Sequence, residues 1–341
     1  MQRDRIVAGW LIAVSTLIVA MVVYGGWVRL TRSGLSIVEW NVVAGILPPL
    51  SEDAWKMEFA KYRSTPEYQK VNAGMSLTAF RDIFFREYIH RLLGRITGLA
   101  YVLPLFVFLV KGWLPRRQIP ILLGIGLLFA LQGLLGWFMV QSGLVDQPQV
   151  SHYRLTLHLL AALALFAACL WLTFDYVAPP GGVLTPSSAL RRLAIGVLAI
   201  VVLQVAFGAL MAGLKAGHLS NTFPKMLGQW VPDGMLRGSP FLLNFLQNPI
   251  TIHFQHRWCG VAVAGLALAL FLQERREGDA GTVDLRLRRA VASLLHLVTL
   301  QVVIGILVVV LNVPAPLASL HQAAAVGIFG TALFICHQTQ G

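Results

Sequence analysis

A chain of 341 residues that is 57% hydrophobic and 12% charged, with a mean hydropathy of +0.70, lies outside the range of soluble globular domains and reads as a polytopic membrane protein. Its formal charge of +12 does not point to nucleic acid, because the basic residues are scattered at the ends of apolar runs and form no soluble stripe. Cys169, Cys259 and Cys336 all fall inside apolar runs without a CxxC pattern, which excludes an extracytoplasmic disulfide framework and favours packing roles.

Apolar runs long enough to cross a bilayer at about 1.5 Å per residue predict eight helices, at roughly 8 to 28, 88 to 110, 119 to 140, 155 to 174, 193 to 213, 252 to 272, 290 to 311 and 319 to 337. The first is as long as a true span and lacks a small-residue cleavage pattern, so it reads as helix one and not as a signal peptide. The stretch 31 to 86 that follows is polar and aromatic; its amphipathic part from Ala54 to Tyr62 suits a lid lying at the interface. The matching stretch in the second half, Lys215 to Pro249, is shorter.

Basic residues are retained on the cytoplasmic side of short loops. Arg3 and Arg5, then Lys111, Arg116 and Arg117, then Arg191 and Arg192, then Arg275, Arg276, Arg286, Arg288 and Arg289 fall on one side. Both termini are therefore expected in the cytoplasm, and the long 31–86 loop is too long to count in this tally.

The chain repeats itself. Tyr88-Ile-His90-Arg91-Leu-Leu-Gly94 matches Phe254-Gln-His256-Arg257-Trp-Cys-Gly260, and Thr156-Leu-His158 matches Ser319-Leu-His321. Leu131-Gln132 with Gly136 matches both Leu203-Gln204 with Gly208 and Leu300-Gln301 with Gly305. Duplication of this kind predicts two tandem pseudo-symmetric four-helix bundles: an N-terminal half at 1–178 containing the 31–86 loop, a Pro/Gly-rich cytoplasmic linker at 179–192, and a C-terminal half at 193–341.

In that topology each even-numbered helix enters from the extracytoplasmic side, and His90, His158, His256 and His321 fall within its first turn or two, in one leaflet. Histidine is costly in lipid and is kept there facing a bundle interior, a cavity or a ligand. Pairs on facing helices build cofactor sites in bundle cores, so His90 with His158 and His256 with His321 are read as two axial pairs for haem iron. Zinc or copper is disfavoured because no carboxylate or thiolate completes a compact shell at the second pair.

Arg91 and Arg257 follow two of these histidines, and Arg154 precedes His158 by one turn. Their forked donors match haem propionates, the plainer reading being snorkelling to the interface. Glu87 shares a helix face with His90, whereas His253 takes the equivalent place before His256. This carboxylate suits a proton relay, a group orienting His90 or a part in oxidation, beside the plainer reading of an acid near a helix N-terminus. His152 is read as an outer-shell residue, and His218, His296 and His337 as packing or surface residues.

At these residues the chain resembles the haem A synthase family, in its mitochondrial and alphaproteobacterial style, over nearly its whole length. The resemblance is carried by Gly25-Gly26-Trp-Val-Arg-Leu-Thr-Arg-Ser-Gly-Leu-Ser-Ile-Val-Glu-Trp40, Pro66-Glu-Tyr68, Asn72-Ala-Gly-Met75, Phe84-Phe-Arg-Glu-Tyr-Ile-His-Arg-Leu-Leu-Gly-Arg95, Tyr153-Arg-Leu-Thr-Leu-His158 and Ala318-Ser-Leu-His-Gln-Ala323. It implies stepwise oxidation of the C8 methyl group of haem O to a formyl group, giving haem A for terminal oxidases. His90 and His158 would serve the substrate haem, Glu87 would be the functionally important acid, and His256 and His321 would hold a haem b cofactor. The cysteine pair of some family members is missing, so a thiol step based on it cannot operate.

The resemblance further implies a bacterial inner-membrane location with the haem sites toward the extracytoplasmic side. It implies haem O synthase and terminal-oxidase assembly factors as partners, an electron donor the sequence does not identify, and homo-oligomerisation as an option. A bis-histidine haem has no open iron position and suits electron transfer; at the substrate pair either one ligand leaves or oxidation proceeds without oxygen on iron. The alternatives are a di-haem b-type electron carrier or quinol oxidoreductase, and a non-catalytic haem-binding or transport module.

Overall fold

The computed structural model describes residues 2–41, 44–180, 186–281 and 283–340. In chain order its helices are α1 (Gln2–Leu30), α2 (Glu52–Arg63), α3 (Pro66–Lys70), α4 (Leu77–Val110), α5 (Ile119–Gln141), α6 (His152–Val177), α7 (Ser188–Gly213), α8 (Asn244–Gln247), α9 (Pro249–Asp279), α10 (Leu285–Val310) and α11 (Ala315–Gln338). All but α2, α3 and α8 are long and apolar enough to span a bilayer, which makes eight among the described residues. With no strand among those residues, this is an all-α integral membrane protein, as lipid requires of a chain that must satisfy its own backbone.

The helices overrun the apolar windows because capping, and not hydropathy, sets their ends. Ser76 accepts from Ala79 N to start α4, Ser187 from Leu190 N to start α7, and Asp284 from Leu287 N to start α10. Asn248 caps α9 with Pro249 at its first position. The exposed Leu99, Leu103, Phe106 and Val110 of α4 are the apolar surface a lipid-facing helix presents.

The 31–86 stretch is more ordered than a loop. The expected amphipathic segment is α2, whose buried Trp55 and Tyr62 join Phe80, Ile83 and Phe84 of α4 in an apolar cluster. Trp55 meets Phe84 edge-on at 5.0 Å, and Tyr62 stacks on Phe80 at 5.1 Å. Tyr62 accepts from Asn72 Nδ2 at 2.7 Å and donates to Glu67 at 3.3 Å; burial raises the pKa of its hydroxyl above the ordinary tyrosine value. Packing against α2 explains why α4 begins at Leu77, well ahead of the apolar run.

The chain gathers into two compact units, Ala13–Leu165 on the one hand and Met1–Ile12 with Phe166–Gly341 on the other, the division falling within α1 and α6. In the first, α4 packs on α5, with Tyr101 donating to the Leu122 carbonyl at 2.6 Å. In the second, α7 packs on α9 and α11, and α10 on the same two, which closes a four-helix ring. The end of α6 joins that unit through Phe174 against Phe334 at 4.9 Å and Asp175 against His337 at 2.9 Å. Of the expected linker 179–192, residues 181–185 lie outside the described residues, and α7 has begun by Ser188.

Candidate functional site

One local device occurs three times. Gln132 on α5 donates from Nε2 to the His158 carbonyl on α6 at 3.1 Å. Gln204 on α7 does so to His256 on α9 at 3.0 Å, and Gln301 on α10 to His321 on α11 at 2.9 Å. In each case the same amide nitrogen lies 3.4 Å from the imidazole Nε2. One turn after each glutamine a glycine lets the ring approach: a Cβ on Gly136, Gly208 or Gly305 would lie 3.1, 3.2 or 2.9 Å from Cε1 of the respective histidine.

The fourth histidine follows the pattern only in part. His90 on α4 leans on Gly25 of α1, where a Cβ would lie 2.8 Å from its Nε2. Tyr24 stacks on its ring at 6.4 Å and 24°. The residue one turn before Gly25 is Met21, which carries no amide. His158 is an electrostatic neighbour of His90.

The donor set fits a porphyrin iron. The His256 and His321 ring centroids are 6.4 Å apart, close to the roughly 6 Å that one metal between two imidazoles sets when each bond is about 2 Å. Nδ1 of His158, His256 and His321 and Oε1 of the three glutamines are buried without hydrogen-bond partners, polar capacity that a native interior normally uses. Among the described residues no group of three or more His, Cys, Asp or Glu gathers to hold a bare metal ion. A porphyrin needs none, since it brings its own equatorial nitrogens and asks the protein only for axial ligands.

Beside His90, Glu87 is 3% exposed and fully engaged. Its Oε2 accepts from Ser36 N and Ser36 Oγ, both at 2.7 Å, and from Ile37 N at 3.0 Å. Its Oε1 accepts from Arg91 Nη2 at 2.6 Å and Nε at 3.0 Å. Arg91 also donates to the Ile37 and Glu39 carbonyls and lies over the Trp40 ring at 4.8 Å.

The second unit repeats this clamp with a different partner. Arg257 Nε donates to His253 Nε2 at 2.9 Å, which makes that imidazole an acceptor and hence neutral, while Nη1 and Nη2 hold the carbonyls of Thr222, Lys225 and Ser220. Arg154 donates to the Phe138 carbonyl at 2.7 Å and lies 3.7 Å from that ring's centroid. All three arginines expected at propionates thus tie backbone carbonyls of neighbouring segments.

The cytochrome oxidase assembly protein family model, COX15-CtaA, matches residues 8–333. A heme A synthase of Nitrosospira multiformis is 44% identical over 97% of this chain and 93% of its own length. That of Rhodospirillum centenum is 42% identical over 98% and 88%, and human heme A synthase COX15 is 38% identical over 98% and 83%. The chain belongs to the haem A synthase family.

For a haem A synthase family member, the glutamines are the site residues that sequence reasoning passed over. Their signal is present in the thrice-repeated Gln-x-x-x-Gly spacing, which by itself points to duplication and does not reveal a contact to histidine. The remaining histidines stand apart from the pairs: His152 lies against Tyr153 at 4.1 Å, His218 meets Asn312 at 3.2 Å, and His296 meets the Ala292 carbonyl at 2.7 Å. His337 is packed inside and not at the surface; it is 1% exposed and its Nε2 lies 2.9 Å from Asp175 Oδ1.

Proposed function

We propose that this chain oxidises the C8 methyl group of haem O to a formyl group, yielding haem A for terminal oxidases. The substrate lies between His90 and His158 in the N-terminal half, 1–178, and a haem b cofactor between His256 and His321 in the C-terminal half, 193–341. The observation that carries the assignment of halves is the break in an otherwise repeated clamp, a carboxylate at Glu87 against a neutral imidazole at His253. Haem b, when bound, supplies one-electron redox chemistry.

The chain's own residues position and exclude. Gln132, Gln204 and Gln301 fix the helix pairs at the level of the histidines. Arg91 and Glu87 hold Ser36 to Glu39 against α4 one turn from His90, and Ser36 Oγ, donating to Glu87 Oε2, gives that carboxylate a partner for passing a proton released as the methyl group is oxidised. Arg91, Arg154 and Arg257 are assigned to the propionates, their carbonyl contacts keeping the guanidinium forks in place. Both termini are assigned to the cytoplasm and the haem pairs to the extracytoplasmic leaflet, with haem O synthase and oxidase assembly factors as partners; the oxidant that takes up the electrons of the methyl group is supplied from outside the chain, as is the electron donor.

The relatives at 38 to 44% identity carry the name heme A synthase, which disfavours an electron carrier that makes no new haem. Pigment extraction from cells that supply haem O, with and without the chain, tests the reading. Haem A is expected only when the chain is present, and its absence there would defeat the enzyme assignment.

A further inference from the structure

Met21 occupies the place of a glutamine. Gln204 Nε2 lies 3.3 Å from where a Cβ on Gly260, one turn after His256, would stand; Met21 Cε lies 3.5 Å from the equivalent point on Gly94, one turn after His90. The two side chains therefore fill matching positions between matching helices, each one turn before the glycine its histidine leans on. Gln204 spends an amide hydrogen bond on the His256 carbonyl, whereas a thioether has no hydrogen to donate. His90 is also turned differently, presenting Nε2 to its glycine where the other three present Cε1.

We propose that Met21 is a positioning residue that leaves His90 the yielding ligand of the substrate pair, so that substrate porphyrin enters and product departs by release from His90. The inference rests on the assignment of His90 and His158 to the substrate haem. A cofactor pair must retain its porphyrin through many turnovers and a substrate pair must exchange it in each. The glutamines match that division of labour: both cofactor ligands are tied, through Gln204 and Gln301, whereas the substrate pair has one tied ligand, His158 through Gln132, and one untied.

The test is release of ferric protoporphyrin from the full-length protein in lipid nanodiscs to excess apomyoglobin, followed by absorbance. Wild type is expected to release in a fast and a slow phase, the fast one lost in His90→Ala and the slow one lost in His256→Ala. Met21→Gln, close in shape, should slow the fast phase about tenfold, near the upper share of one net hydrogen bond, and leave the slow phase unmoved. Gln204→Met should speed the slow phase by a similar factor.

If the amide at position 21 prevents folding, Gln132→Met on the opposite ligand should speed the fast phase. A fast phase that His90→Ala removes but Met21→Gln leaves unchanged, or a Gln132→Met protein with the wild-type fast rate, overturns this inference alone. A His90→Ala protein that keeps both phases overturns the substrate-site assignment and this inference with it.

Discussion

Arg91 Nη2 and Glu87 Oε1 stand 2.6 Å apart with their side chains 10% and 3% exposed, and the pair gathers the backbone of Ser36, Ile37 and Glu39 onto α4. Removing one member of a buried pair costs about 3–5 kcal/mol because the other charge stays behind. Glu87→Ala would also strip the acceptor from Ser36 N and Ile37 N. Glu87→Gln keeps the shape and an oxygen for those donors while losing the charge. Glu87→Ala and Glu87→Gln are both expected to retain haem b and lose haem A output, and only the alanine variant should raise amide exchange across Ser33–Asn41. Pigment extraction and hydrogen exchange check this, and haem A at the wild-type level from Glu87→Ala would refute the catalytic assignment.

His256→Ala should remove the porphyrin held by the C-terminal pair. The ring it deletes faces His321 at 6.4 Å on a backbone whose carbonyl is tied by Gln204, and no second imidazole can substitute from α9, where His253 is already engaged by Arg257. Purified protein is expected to lose the haem b extractable as protoporphyrin iron while keeping its helical content by circular dichroism. Retention of a full complement of haem b would sink the cofactor-pair assignment.

The eight spans and all four histidines were legible because a hydrocarbon slab imposes length and composition on any helix that crosses it, and histidine is conspicuous against that background. The start of α4 was not, since it depends on Ser76 as a cap and on Trp55 and Tyr62 packing against Phe80 and Phe84, contacts made across a long sequence separation. His90 consequently sits deeper in α4 than a helix starting at residue 88 would place it. The carbonyl partners of Arg91, Arg154 and Arg257 were hidden for a different reason: a backbone acceptor carries no residue identity for a motif to reveal. Of the two readings of His337, packing holds, since it lies buried against Trp171 and Phe174; its contact to Asp175 was not legible because that residue lies on another helix.

Glycine at the histidine contacts is a steric requirement. A methyl group on Gly305 would come within 2.9 Å of His321 Cε1, and one on Gly136 within 3.1 Å of His158 Cε1. Both histidines are also tied through their backbone carbonyls to a glutamine one turn away on the same helix as the glycine, so neither helix pair can part freely. Gly305→Ala is expected to lower retained haem b severalfold, and Gly136→Ala to weaken binding at the N-terminal pair. Gly265→Ala, where nothing lies within 4 Å of the added carbon, should leave pigment content unchanged. Haem b content after purification reads Gly305→Ala and Gly265→Ala, the fast phase of ferric protoporphyrin release reads Gly136→Ala, and equal haem b retention in Gly305→Ala and Gly265→Ala would contradict the close-approach argument.

Trp55 anchors α2. Its ring meets Phe80, Phe84 and Phe85 at 6.4, 5.0 and 5.4 Å, and the Arg81 guanidinium lies over it at 5.1 Å. Truncating so buried an indole costs about 3–5 kcal/mol in transfer and cavity terms, more than the Arg81–Glu52 ion pair at 2.6 Å can offset, since exposed pairs contribute about 1 kcal/mol or less. Trp55→Ala should therefore release α2 from α4 and raise amide exchange and protease cleavage between Glu52 and Lys70. The Gln204–His256 and Gln301–His321 contacts lie in the other unit and do not depend on α2, so haem b at the C-terminal pair should persist. Wild-type protection across α2 in Trp55→Ala would mean that the segment is held by something other than this aromatic cluster.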